Sequence, residues 1–208
     1  MRRIQLLLAS VVLLAAGGVA AAAPVDGQVD TFDGSDLMGW TMGMVTNINT
    51  YDTGGPAGAG DGYIEPYATG GVGAGSRLTI RGLQTRWTGD WIAAGIDEIE
   101  VDLMNDSGTA LEIRLELESG VKHAYTDAVT VPSDGQWATY TFAVDAVSLT
   151  TSSDPYSVLA DVTTLRIEHN PNATNPPPTV AAAVGVDNVS AWDTIPTCGD
   201  GVVEGTEA

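Results

Sequence analysis

The stretch "IEVDLMNDSGTALEIRLELES", residues 99–119, constrains this chain more than any other. Ile99, Val101 and Leu103 alternate with Glu98, Glu100 and Asp102, and Leu111, Ile113, Leu115 and Leu117 alternate with Glu112, Arg114, Glu116 and Glu118. Period-two alternation sorts side chains onto the two faces of a strand, whereas a helix would wind the same residues round its axis. Asn105 to Gly108 supply turn chemistry between the runs, so the reading is a β-hairpin with one buried and one wet face. Alternation returns in "QWATYTFAV", in "TTLRIEH" and in "AAVGVDNVSAW", and no sustained helical period lies between Pro24 and Trp192. The stretches "SSDP" and "NPNATNPPP" carry prolines that cannot donate to a ladder, so they are connections. Short strands, frequent turns and no helices predict an all-β antiparallel sandwich of two sheets.

The chain begins with Arg2 and Arg3 ahead of an apolar, alanine-ending run, the pattern of a secretory signal peptide over residues 1–23. Cleavage at the small residues before Pro24 would leave no stable membrane insertion, since no later segment approaches a membrane span. The remainder reads as one domain over residues 24–193 and a flexible, acidic, glycine-rich tail over 194–208. Beyond position 23 there are six basic and 27 acidic residues, a net charge of −21. Such a surface repels nucleic acid and anionic membranes and suits an exported protein or one that holds cations. Cys198 is the only cysteine, so no internal disulfide is available and stability must come from packing, hydrogen bonds or a bound ion.

Residues 53–75, rich in glycine, hold Tyr63, Ile64 and Tyr67 in their middle, which points to an ordered loop around a short strand rather than a linker. Phe32, Trp40, Trp192 and Tyr140 sit in strand contexts and are expected in the core. Trp87 and Trp91, four apart in "RWTGDW" beside Arg86 and Asp90, lie in a polar, loop-like context, as do Tyr51, Tyr63 and Tyr67. Flat aromatic rings flanked by a guanidinium are what a sugar ring needs, so Trp87, Trp91, Tyr63, Tyr67 and Arg86 are the candidate ligand surface. The competing reading, that these rings close the ends of the sandwich, stays open. His123 and His169 have no spacing that suggests zinc, and no nucleophile elbow accompanies them.

Three stretches taken together carry a resemblance: "VDTFDGSDLMGW" at the start, "GDGYIEPYATGGVGAGSRLTI" with "WTGDWIAAGIDEIEVDL" in the middle, and "LRIEHNPNATNPPPTVAAAVGVDNVSAW" at the end. They resemble secreted bacterial jelly-roll domains of the galactose-binding-like and laminin-B-like kind, relatives of carbohydrate-binding modules. The resemblance implies a jelly-roll β-sandwich whose first and last strands lie side by side, with a structural Ca2+ where they meet. Asp30, Asp33 and Asp187 would then be its carboxylate ligands, calcium favouring six to eight hard oxygens. Solvated or turn-capping roles for the same aspartates remain the alternative. The tail "CGDGVVEGTEA" resembles the start of a cysteine-rich repeat of secreted myxobacterial proteins, which implies that Cys198 lacks the partner such repeats use.

The expectation is a non-catalytic binding module, secreted or at a bacterial cell surface, with a carbohydrate or an extracellular matrix polymer as partner and no catalytic residues. Two alternatives are a structural or adhesive surface protein and a jelly-roll glycoside hydrolase. The hydrolase would use Glu98, Glu100 and Asp102, which resemble the Glu-x-Asp-x-Glu strand of jelly-roll β-glucanases. The order here is Glu-x-Glu-x-Asp, and the acidic alternation continues through Glu112, Glu116 and Glu118, the pattern of a solvated sheet face.

Overall fold

The computed structural model describes residues 23–194, so the leader and the Cys198 tail lie outside the described residues. Thirteen strands, numbered in chain order, form two antiparallel sheets. The first contains β1 (Val29–Asp30), β2 (Ile48–Tyr51), β3 (Tyr63–Thr69), β5 (Glu98–Met104), β9 (Ala138–Ala143), β12 (Ala181–Ala183) and β13 (Gly185–Trp192). The second contains β4 (Thr79–Gly82), β6 (Leu111–Ser119), β7 (Lys122–Tyr125), β8 (Val129–Val131), β10 (Thr150–Thr151) and β11 (Thr164–His169). The fold is the expected jelly-roll sandwich.

The alternation of β5 and β6 is borne out, but their pairing is not. β5 pairs with β9 and β13, whereas β6 pairs with β7, β8 and β11. The two strands belong to different sheets, and the chain crosses between them instead of turning back as a hairpin. Asn105 makes the crossing: its buried amide donates to Thr109 O at 2.9 Å and Val131 O at 3.0 Å, and its oxygen accepts from Ser107. Both apolar rows therefore meet across the core, where Ile99, Val101, Leu103, Leu111, Ile113, Leu115 and Leu117 are all at 0% exposure. Burying each such side chain contributes about 1.5–3 kcal/mol.

The ends close as expected. Val29 of β1 lies opposite Ser190 and Asp30 opposite Val189, so the first strand extends the sheet along the last. The register of β13 against β5 slips between Asp187 and Ser190, and Asn188 adopts the left-handed conformation there, φ 47°. That bulge re-aims the residues beside it. Phe32 and Trp40 enter the core as anticipated, while Trp192 is half-buried. Two single-turn helices, unexpected from the pattern, add Trp91 (α1, Trp91–Ala94) and Val158 with Leu159 (α2, Pro155–Leu159) to the core.

Candidate functional site

The structure separates the residues singled out from the sequence. Trp87 and Trp91 are fully buried, which corrects their assignment as ligand platforms: a ring with no exposed face cannot stack on a sugar. Their polar neighbours are local fittings. Asp90 caps α1 by accepting from Ala93 N at 2.9 Å. Arg86 lies 2.9 Å from Asp30 and also donates to Met38 O, so it too is committed to the fold.

Asp30 is likewise not a metal ligand, because its oxygens are already occupied. Trp40 Nε1 and Trp87 Nε1 each donate to Oδ2 at 2.7 Å, and Arg86 Nη2 does so at 3.0 Å. This buried carboxylate is the hub of an aromatic cluster in which the Trp40 ring lies 6.4 Å from Phe32 and 5.9 Å from Trp87.

Asp33 and Asp187 behave differently. Asp187 is fully buried; its Oδ1 accepts from Asn188 N at 2.8 Å, and its Oδ2 has no partner among the described residues. Burial first, and then the charges of Asp61, Asp102 and Asp33, push its carboxyl up to about 7. Asp33 Oδ1 accepts from Gly62 N at 3.1 Å. A Cβ on Gly62 would lie 3.0 Å from Tyr51 O and 3.1 Å from Phe32 O, so two carbonyl oxygens crowd the same glycine. The orphaned Asp187 oxygen thus lies within the influence of three further carboxylates, a neighbourhood of the hard, oxygen-only kind that calcium favours.

Tyr63 and Tyr67 project from the outer face of the first sheet with Glu65 between them, the intervening Ile64 facing the core. Tyr63 is spent on its neighbours: it stacks on Tyr51 at 4.6 Å and meets the edge of Trp137 at 5.1 Å. Trp137 is held by donating to Gly54 O at 2.9 Å. On the same sheet Asp102 is bonded to Thr139 and Asn188.

The outer face of the second sheet carries the most developed polar constellation, and sequence reasoning missed it. Register places Arg81, Arg166, Glu116 and Tyr125 in one row across β4, β11, β6 and β7, with Thr79, Glu168 and Arg114 in the next. Glu116, Glu168 and Arg114 are buried, at 0%, 1% and 7% exposure, rather than solvated. Arg166 reaches Glu116 at 2.7 Å and Glu118 at 2.6 Å, His123 Nδ1 lies 2.7 Å from Glu116, and Tyr125 donates its hydroxyl to Glu116 at 3.1 Å. Ligand atoms of Glu116, Glu118 and His123 fall within 4.8 Å of one another, a spacing a divalent ion would accept. The guanidinium of Arg166 already compensates both carboxylates, so this is a salt-bridged network. Arg114 donates to the carbonyls of Asn170, Pro171 and Thr126, tying the 170–171 segment over the sheet edge.

Four atoms of this face are buried without a hydrogen-bond partner among the described residues: Thr79 Oγ1, Arg81 Nε, Arg166 Nε and Glu168 Oε2. Burial, and then the negative charge of Glu116, push the Glu168 carboxyl well above the usual carboxylate range, opposed by the Asn170 amide bonded to it, by the Arg166 charge and by the Thr79 hydroxyl beside it. Burial likewise raises the Tyr125 hydroxyl, which keeps it a donor to Glu116. A cavity of about 200 Å³ opens at the β4 end, lined by Met42, Val45, Arg77, Thr79 and Arg81. Another of about 280 Å³ opens at the β7 end, lined by His123, Tyr125, Thr151 and Asn175. Each exceeds the roughly 30 Å³ share of one water several-fold.

No family model matches the sequence, and no curated protein matches it. Among solved structures, the chain is similar to a family 11 carbohydrate-binding module from Clostridium thermocellum in complex with a β-1,3-1,4-mixed-linked tetrasaccharide. That match has 16% identity and a TM-score of 0.48 over 81% of this chain and 96% of the other. It is similar to a carbohydrate-binding module of family 28 specific for non-crystalline cellulose, at 13% identity and TM-score 0.49, over 82% and 97% of the two chains. An exo-β-agarase matches at 10% identity and TM-score 0.51, over 82% of this chain and 26% of the agarase. At such identities the agarase likeness concerns fold alone, and this chain spans about a quarter of that enzyme.

Proposed function

We propose that this chain is a non-catalytic, exported bacterial carbohydrate-binding module whose ligand surface is the outer face of the second sheet, with a structural calcium at Asp33 and Asp187. The observation that supports the ligand surface is the pair of cavities on this face, one lined by Arg77, Thr79 and Arg81 and the other by His123, Tyr125 and Asn175. Sugar hydroxyls donate and accept at once, so they match cavities lined by guanidinium groups at Arg77 and Arg81, hydroxyls at Thr79 and Tyr125, an imidazole at His123 and an amide at Asn175. The apolar lining from Met42 and Val45 provides contact for ring CH groups. Export is read from the leader pattern of residues 1–23.

The test is affinity electrophoresis of the purified protein through gels containing neutral and charged polysaccharides. At least one polysaccharide is expected to retard migration, and His123→Ala, at the rim of the β7 cavity, is expected to weaken that retardation at least five-fold with its melting temperature within a few degrees of wild type. Free migration through every gel, or full retardation of His123→Ala, would overturn the proposal.

A further inference from the structure

We infer that the cavity at the β4 end of this face seats an anionic sugar unit, with its carboxylate or sulfate group held by Arg81 and Arg77. The inference rests on the carbohydrate reading above and names the class of saccharide.

The distribution of positive charge carries it. Beyond position 23 the basic residues are Arg77, Arg81, Arg86, Lys122, Arg114 and Arg166, against 27 acidic residues. In so acidic a chain an arginine that meets no carboxylate is exceptional. Arg166 is neutralised by Glu116 and Glu118, and Arg86 by Asp30. Arg114 is spent on three backbone carbonyls. Arg77 uses Nε on Pro177 O at 2.6 Å and keeps its terminal nitrogens for another acceptor. Arg81 makes no side-chain hydrogen bond or ion pair among the described residues, and its Nε is buried.

Both arginines line the same cavity, whose other walls are Met42, Met44, Val45 and the Gly73–Gly75 turn, with no carboxylate among them. Glu168, the acid opposite Thr79 on the neighbouring strand, directs Oε1 to the Asn170 amide. The cavity walls thus carry two guanidinium groups and no carboxylate, with apolar sides. A planar guanidinium with free N–H groups fits a carboxylate or sulfate through paired hydrogen bonds, and a partly enclosed site is screened by salt less than an open surface. The methionine side chains are flexible enough to adapt to the apolar edge of a sugar ring.

Binding of the full chain would be measured by calorimetry against a neutral mixed-linkage β-glucan, neutral agarose, polygalacturonate as the carboxylate arm and carrageenan as the sulfate arm. At least one anionic polymer is expected to bind ten-fold or more tightly than either neutral one, and which of the two does so identifies the anionic group. Arg81→Gln should weaken binding of the anionic polymer at least five-fold more than binding of the neutral ones, with the melting temperature unchanged, and Arg81→Lys should keep part of the advantage. Neutral polymers bound as tightly as anionic ones, or Arg81→Gln with full anionic affinity, would overturn the inference while leaving the carbohydrate reading standing. Binding to none of the four would sink both.

Discussion

A carboxylate at 1% exposure is costly unless every lone pair is used, and Asp30 shows how that is arranged. Two indole N–H groups and a guanidinium converge on it, so the anion organises three side chains that are distant in sequence. Asp30→Asn would remove the charge opposite Arg86 and turn an amide N–H toward donors. Breaking a buried ion pair typically costs about 3–5 kcal/mol, and the lower end applies because the Arg86 side chain is 35% exposed. The expected outcome is a loss of about 3 kcal/mol in chemical denaturation, or about 10 °C in melting temperature for a domain of this size. A loss under 1 kcal/mol would show that the hub is not organised by charge. The same hub explains why Trp87 looked like a platform: the polar letters around it describe its fastenings, which a linear reading takes for exposure.

At the scale of elements, β6 and β11 lie side by side, and their register sets Glu116 against Arg166 and Glu168 against Arg114. Glu116 and Glu168 thereby stand diagonally on one face, close enough for their charges to interact. Burial first, and then the Glu116 charge, make Glu168 keep its proton further up the pH scale when folded than when unfolded. A group raised in this way contributes stability that is complete below its unfolded value and is lost as pH rises through its folded value. Wild type should therefore lose melting temperature between pH 5 and pH 9 more steeply than Glu168→Gln, which cannot ionise. Parallel curves for the two proteins would refute this. The face itself was legible from alternation in "LEIRLELES" and "TLRIEH"; its burial was not. Alternation shows which side chains point away from the core, whereas the cover over them comes from Met42–Val45 and from the 170–177 segment, far away in the chain. The same blindness produced the hairpin expectation for residues 99–119. A strand crossing to the opposite sheet has the same period as one that turns back, and only the buried Asn105, bonded to the distant Val131 O, distinguishes them.

At the scale of the whole molecule, 27 acidic residues repel one another, and part of that repulsion is concentrated where the chain closes on itself. Asp33 follows β1, Asp187 lies at the bulge of β13, and the charges of Asp61 and Asp102 act on the same buried carboxyl. Pairing of β1 with β13 brings these groups together, so the jelly-roll closure has an electrostatic cost that a divalent cation would reverse. A calcium ion that bound the folded arrangement and not the dispersed chain would stabilise the fold by mass action. At pH 7.5 the melting temperature of wild type should rise by several degrees in millimolar calcium over chelator. Asp187→Asn should lose that gain while melting at or above wild type in chelator, since an uncharged amide relieves the repulsion. Asp30→Asn, although less stable throughout, should keep the calcium gain, because Asp30 is saturated by Trp40, Trp87 and Arg86. The pair of variants separates an ion bound at the closure from one bound diffusely by negative charge. Equal calcium gains in wild type and Asp187→Asn would remove the ion from this site and leave Asp187 as a buried carboxyl whose ionisation the fold holds back toward neutral pH.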